Sequence, residues 1–338
     1  MFSNVYKNDP EKRAEHEAVR NTVGWYYFTH HIVELKGSGA KTFLDWLCAN
    51  PIANLQPGRA RYTTILREDG VIVDDIVVFF IEENKYWLST LFIRNLLNWL
   101  ESHNEGFDVE FSDITATMDM FAVQGPKSKD FVNAIAETSV DDQKFFSILD
   151  NEILGVPVKI ARAGYTGEKL GYEIYMASEN MKLIRDVLVS KGKSFDAVRL
   201  REFQIMVWTL PTEKGFIHMN DIYDQNPFEA GLERGIDISR DFIGKTALEK
   251  VKDEGITRKL VGFIVDDPNA HIHPRMYGNA GAAVMFSDEI VGRVTKFTYG
   301  YTCEKNIGYA LVDITKVTIG DSVMINDCLA TLTERIFI

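Results

Sequence analysis

Cysteine is scarce in this 338-residue chain. Cys48, Cys303 and Cys328 are odd in number, lie far apart and form no C-x-x-C pair. This pattern excludes a disulfide framework and a zinc knuckle. It is typical of a protein from a reducing compartment, so we expect a cytoplasmic protein.

Long apolar runs are also lacking. The run from Ile76 to Ile81 has six residues, whereas a membrane-spanning helix requires about 20. The N-terminal stretch is polar and has no apolar segment of the kind that secretion signals carry. We therefore expect a soluble protein that neither spans a membrane nor is exported.

Positive charge is in deficit. The chain has 37 Lys and Arg against 49 Asp and Glu, a formal net charge of −12. Nucleic-acid binding depends on many basic groups that neutralise phosphates, so we expect no nucleic-acid partner. An anionic small ligand would need a locally basic pocket.

The remaining composition is that of an ordinary globular protein, with 46% hydrophobic and 25% charged residues. At roughly 100–200 residues per domain, the length predicts two or three domains. We place a boundary in the charged stretch 249–259, which separates a core of residues 1–255 from a domain of residues 256–338.

Helical and strand-like patterns alternate through the first 255 residues. Charge and apolar spacing predict helices over 9–22, 39–50, 91–102, 127–137 and 179–192. A hairpin is predicted around Glu68-Asp69-Gly70, and one strand over 23–37. Beyond residue 256, short β-like runs recur at near ten-residue spacing, which predicts a small all-β domain. The fold class is therefore α+β.

Two adjacent aspartates, Asp74 and Asp75, interrupt an otherwise apolar strand. Consecutive strand side chains point to opposite faces, so one carboxylate faces the packed or ligand-binding side. A buried ionised carboxylate is costly unless it is paired or hydrogen-bonded. The pair is therefore either part of a site or an edge-strand charge that prevents aggregation.

A glycine-rich turn, Gly164 to Glu168, is followed by the strand-like segment 171–175, and both carry aromatic and acidic residues. One carboxylate can accept two N–H bonds from a heterocycle while aromatic faces stack on it. A plain turn and strand would also have this pattern. His271 and His273 could ligate a metal, but they have no Cys or carboxylate-rich partner run, so we expect no metal.

Eight segments, in order, resemble the glycine cleavage T-protein (aminomethyltransferase) family, and the closing VGRVTKFTYG and IGYALV resemble its C-terminal barrel. The segments are EHEAVRNTVGWYYFTHH, GRARYTTIL, DGVIVDDIVV, AVQGP, RAGYTGE, GYEI, NPFEAGL and DFIGKTAL.

This resemblance implies a three-domain cloverleaf, in which two interwoven ferredoxin-like α+β units surround a central folate channel and a β-barrel follows. The implied cofactor is tetrahydrofolate, with its pterin buried. By position, Asp74 corresponds to the catalytic aspartate, Glu173 to the carboxylate that holds the pterin edge, and Arg199 or Arg201 to the family's arginine. The channel-lining positions are Tyr62, His31, Gln124 and Tyr165.

Two departures resemble the folate-dependent demethylase branch of the family. One is the Thr29-His30-His31 signature, in the segment where Tyr27 and His31 replace an aspartate and a methionine of the family's F-D-V-S-H-M run. The other is the insertion of residues 209–225. The branch implies transfer of a methyl group from a small O-methyl or S-methyl compound to N5 of tetrahydrofolate. Asp74 would orient N5 or take its proton, and His30, His31 and Tyr27 would donate to the leaving group.

Other functions stay open at this point. The histidines and tyrosine also fit a strand end in the core. The alternatives to demethylation are aminomethyl transfer from a lipoyl carrier protein, methyl transfer between a corrinoid protein and the folate, and a non-catalytic folate-binding accessory role.

Overall fold

The computed structural model describes residues 7–28, 31–276 and 279–338. In chain order the helices are α1 (Pro10–Asn21), α2 (Ala40–Leu47), α3 (Ile93–His103), α4 (Ser128–Asn133), α5 (Met181–Gly192), α6 (Leu210–Glu213), α7 (Met219–Ile222), α8 (Pro227–Ala230) and α9 (Lys245–Glu254). A π-helical segment, Ile205–Thr209, leads directly into α6. None of the described helices combines the length and apolar character that crossing a membrane requires.

The strands are likewise numbered in chain order. They are β1 (Gly24–Phe28), β2 (His31–Lys36), β3 (Ala60–Leu66), β4 (Ile72–Glu82), β5 (Lys85–Thr90), β6 (Glu110–Asp113), β7 (Met118–Gln124), β8 (Ile148–Ile153), β9 (Val156–Ala161), β10 (Gly171–Ala177), β11 (Val198–Arg199), β12 (Arg258–Val265), β13 (Ala283–Phe286), β14 (Glu289–Gly300), β15 (Lys305–Asp313), β16 (Ser322–Ile325) and β17 (Cys328–Thr333).

Two sheets are interwoven along the chain. A six-stranded sheet has the order β11-β1-β7-β10-β9-β8, and a five-stranded sheet has the order β3-β4-β5-β2-β6. The whole five-stranded sheet is therefore inserted between β1 and β7 of the other. The single strand predicted over 23–37 is two strands, because the chain crosses from one sheet to the other there.

Strands β12 to β17, which span residues 258–333, form a closed barrel with the order β12-β15-β14-β13-β16-β17. The π-helical segment and β14 are joined by hydrogen bonds. The Trp208 indole donates to the Phe297 carbonyl at 3.0 Å, and the Thr209 and Thr298 hydroxyls are 3.0 Å apart. These bonds fix the barrel against the interwoven sheets.

Each sheet has an outer face that helices cover. Trp25, Phe121 and Ile174 of the six-stranded sheet share a core with α4 and α5. Val33 and Ile76 of the five-stranded sheet share a core with α2 and α3. Because strand side chains alternate, every second residue of each sheet points away from these helices.

The inner faces of the two sheets share one central core. Phe28 and Tyr175 come from the six-stranded sheet, Phe79 and Trp87 from the five-stranded sheet, and Tyr299 from the barrel. The Tyr175 ring lies 5.9 Å from the Phe79 ring and 6.1 Å from the Trp87 ring, measured between centroids. The candidate functional site is described around this core.

The predicted hairpin is a three-stranded meander. The turn at Asp69-Gly70 forms as predicted, but a second turn separates β4 from β5. Asn84 occupies that turn with a φ of 59°, a left-handed conformation that asparagine tolerates better than most residues. Helix α1 lies within the predicted 9–22, since the Asp9 side chain accepts from the Lys12 N–H and Pro10 occupies the first turn.

Candidate functional site

The two adjacent aspartates lie on opposite faces of β4. Asp75 is paired with Thr64, and Val77 is paired with Tyr62, so all four share the inner face. The Tyr62 hydroxyl donates to Asp75 Oδ2 at 3.0 Å. The carboxylate that faces the central core is therefore that of Asp75.

Asp74 lies on the outer face, opposite Ile65, beside a register shift between β3 and β4. Its side chain is fully buried. Its Oδ2 accepts from the Thr90 hydroxyl at 2.6 Å and its Oδ1 from the Asp75 N–H at 2.9 Å. Asp74 is the catalytic aspartate expected by position in the sequence, but strand alternation places it away from the inner face.

Burial has the largest effect on the pKa of both aspartates. It raises the pKa of Asp74 well above its usual value, and the negative charge of Asp75 raises it further. Burial also raises the pKa of Asp75 to about 6. The Tyr62 hydrogen bond lowers this pKa, the negative charge of Asp221 raises it, and the Lys296 ammonium has a smaller lowering effect. The pKa of Asp75 therefore lies between its ordinary value and neutral pH.

Of the proposed proton donors, His31 and Tyr27 lie away from Asp75. His31 is half-buried and lies opposite Thr90, on the same face as Asp74. His30 lies outside the described residues. Tyr27 is 36% exposed, and its hydroxyl donates to Asp119 Oδ1 at 2.5 Å. It pairs with Phe121 on the helix-covered face of the six-stranded sheet.

Glu173 is the buried carboxyl of the six-stranded sheet's inner face, at 5% exposure. The Tyr175 hydroxyl donates to its Oε2 at 2.7 Å. Burial raises the pKa of Glu173 to about 7. Tyr165 packs beside it, 5.2 Å from the Phe28 ring, and its buried hydroxyl has no hydrogen-bond partner in the described part of the chain. We call Tyr62, Asp75, Tyr165, Glu173 and Tyr175 the central site.

Gln124 holds the glycine-rich turn in shape. Its Nε2 donates to the Ala163 carbonyl at 3.2 Å, and its Oε1 accepts from the Thr166 hydroxyl at 2.9 Å. A Cβ at Gly164 or Gly171 would collide with this amide. Gln124, predicted to line the channel, thus positions the turn that carries Tyr165.

Neither candidate arginine faces the central core. Arg199 is exposed on edge strand β11, with its guanidinium 5.5 Å from the centre of the Trp25 ring. Trp25 belongs to the core under α4 and α5. Arg201 is also exposed, and its backbone N–H donates to Glu15.

A buried ion pair next to the central site was missed by the sequence analysis. Lys296 Nζ lies 2.8 Å from Asp221 Oδ2, and both side chains are fully buried. The sequence contains one indication of this pair. Lys296 is a charged residue in a β-rich stretch, as Asp74 and Asp75 are in theirs.

A cleft of about 440 Å³ opens beside Tyr62. The residues that line it are Asn50, Ala60, Arg61, Tyr62, Phe146, Arg234 and Gly235. Its two arginines provide the locally basic pocket that an anionic ligand of this acidic protein requires. Within the described ranges, no group of three or more His, Cys, Asp or Glu side chains is arranged to hold a metal ion.

Comparison with known proteins identifies the family. Residues 2–240 match the family model described as the GCVT N-terminal domain. Residues 258–335 match the glycine cleavage T-protein C-terminal barrel domain. The chain belongs to the glycine cleavage T-protein family. The resemblance on which the sequence analysis relied is therefore confirmed.

Two proteins to which the chain is similar are named aminomethyltransferase. The chain is 32% identical to the aminomethyltransferase of Alkaliphilus oremlandii, over 96% of this chain and 87% of that protein. It is 31% identical to the aminomethyltransferase of Thermotoga maritima, over 90% of this chain and 82% of that protein.

A solved structure confirms the fold. The crystal structure of the glycine cleavage system aminomethyltransferase T from Bartonella henselae matches with a TM-score of 0.83 and 20% identity. The match covers 97% of this chain and 89% of that one. The α+β fold of the T-protein type, with its closed C-terminal barrel, is as predicted.

Proposed function

We propose that this protein transfers a one-carbon group to tetrahydrofolate bound at the central site. One observation carries the proposal: the carboxyl of Glu173 is buried, its charge acts on Tyr165, and the described residues supply no partner for the buried Tyr165 hydroxyl. Buried polar groups normally have a hydrogen-bond partner, so this pair fits a bound polar heterocycle. Membership of the T-protein family assigns tetrahydrofolate as that molecule.

The two carboxyls of the central site would have different tasks. Glu173, held by Tyr175, would accept N–H bonds from the pterin edge, and the Tyr165 ring would pack against the heterocycle. When bound, tetrahydrofolate supplies the nucleophilic nitrogen. Asp75, held by Tyr62, would accept and return a proton on the inner face, which its pKa of about 6 favours.

The basic cleft beside Tyr62 would hold the anionic end of the folate. Arg61 and Arg234 both line it, and Tyr62 belongs to the cleft and to the central site alike. A guanidinium binds a carboxylate with two parallel hydrogen bonds. Carboxylates held in the cleft would therefore orient the rest of the molecule toward Asp75.

The first donor to test is an aminomethyl group on a lipoyl carrier protein. Relatives that are 31–32% identical over 90% or more of this chain are named aminomethyltransferase. This support favours the aminomethyl alternative over the demethylase function that the sequence analysis put first.

A second candidate is demethylation of a small O-methyl or S-methyl compound. The insertion 209–225, which resembles the demethylase branch, contributes Asp221 to the buried pair next to Asp75. The insertion would therefore lie near Asp75, where it could select the donor.

One anaerobic experiment separates these functions. The protein is incubated with tetrahydrofolate and either an aminomethyl-loaded lipoyl carrier protein, a methylated corrinoid protein, or a panel of methoxyaromatic, methylthio and methylamine compounds. The mass of the folate product identifies the donor. Tetrahydrofolate that binds without turnover with every donor would favour the accessory role, and no binding at all would contradict the proposal.

Glu173→Gln provides the matched test of the site. We expect it to weaken tetrahydrofolate binding by about tenfold or more, because the amide places a donor where the pterin edge also donates. Glu179→Gln, an exposed position just beyond β10, is the control. Equal affinity of Glu173→Gln and the control, measured by tryptophan fluorescence, would remove Glu173 from the site.

A further inference from the structure

Arg20 is an almost fully buried arginine on helix α1, with 8% of its side chain exposed. Its guanidinium makes five hydrogen bonds, all of them to groups on other elements. An arginine has five N–H donors, held in a planar fork. Every donor of Arg20 is therefore engaged, and its partners fix the orientation of the group.

Two of these bonds hold the glycine-rich turn of residues 164–168. Arg20 Nη1 donates to the Thr166 carbonyl at 3.0 Å and to Glu168 Oε1 at 2.5 Å. Thr166 directly follows Tyr165, whose ring packs against the central core. Arg20 therefore bonds to the turn at the residue next to Tyr165 and again at the end of the turn.

The other three bonds anchor Arg20 to helix α6. Its Nη2 donates to the Leu210 carbonyl at 2.8 Å and to Glu213 Oε2 at 2.9 Å, and its Nε donates to the same carboxylate oxygen at 3.2 Å. Glu213 is fully buried, and its carboxylate also accepts from His16 and from the Thr302 N–H. The anchor is thus a carboxylate with several fixed partners.

The turn also approaches the end of α6 closely. Gly167 has a φ of 79°, and a Cβ at this position would lie 2.3 Å from the Cβ of Lys214. From the other side, the Gln124 amide oxygen accepts from the Thr166 hydroxyl at 2.9 Å. The segment that carries Tyr165 is therefore held between β7 and α6, and Arg20 provides the charged part of the contact with α6.

A gain in stability explains Arg20 poorly. Buried ion pairs add little net stability compared with apolar side chains of similar volume. An apolar side chain would lack the directional bonds, in which one planar group joins two carboxylates and two backbone carbonyls from different elements. A lysine ammonium is a compact point charge without this fork. Arg20 therefore determines where the turn lies relative to α6.

We propose that Arg20 is a positioning residue, which fixes the turn and thereby places the Tyr165 ring for binding. The effect on tetrahydrofolate rests on the proposed function, in which that ring packs against the heterocycle. The hold on Tyr165 itself is a property of the folded chain and is measurable without any substrate.

The first test is fluorine NMR of protein that contains 3-fluorotyrosine, with the Tyr165 resonance identified by its loss in Tyr165→Phe. Arg20→Met and Arg20→Lys should shift or split this resonance, because neither side chain bonds the turn and α6 together. Arg13→Met is the matched control, since it removes a more exposed arginine from the same helix. Its Tyr165 resonance should stay at the wild-type position.

Glu168→Gln keeps the proposal falsifiable if Arg20→Met does not fold. This substitution weakens only the bond to the turn and leaves Arg20 paired with Glu213. Its Tyr165 resonance should move in the same direction as in Arg20→Lys, by a smaller amount. An unchanged Tyr165 resonance in these variants would overturn the proposal.

The second test is a double-mutant cycle on tetrahydrofolate affinity, measured by tryptophan fluorescence. Arg20→Lys should weaken binding by about tenfold, the scale of losing one well-placed aromatic contact. In a Tyr165→Ala background the same substitution should weaken binding no further, because Arg20 acts through Tyr165. Equal weakening in both backgrounds, or none in either, would overturn the positioning role.

The two tests keep this inference separate from the proposed function. If the wild-type protein binds no tetrahydrofolate, the proposed function fails, and the fluorine spectra alone decide whether Arg20 holds Tyr165. If binding occurs and the spectra shift but the cycle shows no coupling, the proposed function stands and the role of Arg20 in binding is overturned.

Discussion

At the residue scale, one position along a strand decides which aspartate reaches the central core. Asp74 and Asp75 are adjacent in sequence and identical in chemistry. Asp74 bonds to Thr90 on the outer face, whereas Asp75 bonds to Tyr62 on the inner face. Their different functions follow from the alternation of strand side chains.

We predict that Asp75→Asn lowers turnover by on the order of a hundredfold or more, because it removes a proton-transfer group. Asp74→Asn should retain most activity, since burial already favours the neutral form of Asp74 and the amide resembles it. Steady-state kinetics with the donor identified above checks both. A loss in Asp74→Asn as large as that in Asp75→Asn would restore the assignment made by position.

At the element scale, the turn between β9 and β10 positions the aromatic part of the site. Gln124, on the neighbouring strand β7, occupies the space that a side chain at Gly164 or Gly171 would need. Gln124 is therefore a close-fitting partner of the turn, and its hydrogen bonds to Ala163 and Thr166 lie on either side of Tyr165.

We predict that Gly164→Ala lowers the free energy of unfolding by about 1–3 kcal/mol, because the added methyl group collides with the buried Gln124 amide. The cost should be smaller in a Gln124→Ala background, where the collision is absent. Urea unfolding of the four proteins of this double-mutant cycle measures the coupling. Equal costs in both backgrounds would show that Gln124 does not constrain the turn.

At the scale of the whole molecule, a network around the buried Glu213 carboxylate connects helix α1, the turn between β9 and β10, and the barrel. Glu213 accepts from His16 and Arg20 of α1, and from both the N–H and the hydroxyl of Thr302 beyond β14. Arg20 continues the connection to Glu168 in the turn, at 2.5 Å. The parts that surround the central site therefore share one polar network.

The pKa of Glu213 determines how this network responds to acid. Burial raises the pKa, but the hydrogen bond and charge of His16 and the charge of Arg20 outweigh burial, so it lies below the ordinary value of 4.5. A carboxyl with a lowered pKa stabilises the folded state above its unfolded value, and this contribution is lost as the pH falls through the folded value.

We predict that Glu213→Gln lowers the free energy of unfolding by about 3 kcal/mol at pH 7, because it leaves Arg20 without its buried partner. The difference from wild type should shrink below about pH 4.5, where the wild-type carboxyl becomes protonated. Urea unfolding between pH 3 and 7 measures this, with Glu254→Gln on the surface of α9 as control. A difference that is independent of pH would exclude this linkage.

Much of the architecture could be predicted from the sequence. The charge pattern predicted α1, the apolar spacing predicted α2, α3 and α5, and the short β-rich runs predicted the barrel. These features depend on neighbours within a few residues along the chain. The family resemblance supplied the cloverleaf fold, because ordered motifs carry information that periodicity lacks.

The site was predicted only in part. Glu173 and Tyr165 lie near enough for the charge of Glu173 to act on Tyr165, because both belong to one turn and the strand that follows it. Tyr27 and Arg199 lie on the far face of the six-stranded sheet. Residue type and spacing do not determine which face points inward when the register depends on pairing between distant strands.

The sequence by itself determined the fold class, the family and the residue types available to the site. Only the tertiary structure decided that Asp75 rather than Asp74 faces the central core, and that Lys296 and Asp221 are paired next to it. Lys296 and Asp221 are 75 residues apart in sequence but 2.8 Å apart in space. The physical reason is that strand register and the docking of the barrel onto the sheets depend on long-range contacts, whereas sequence patterns record short-range ones.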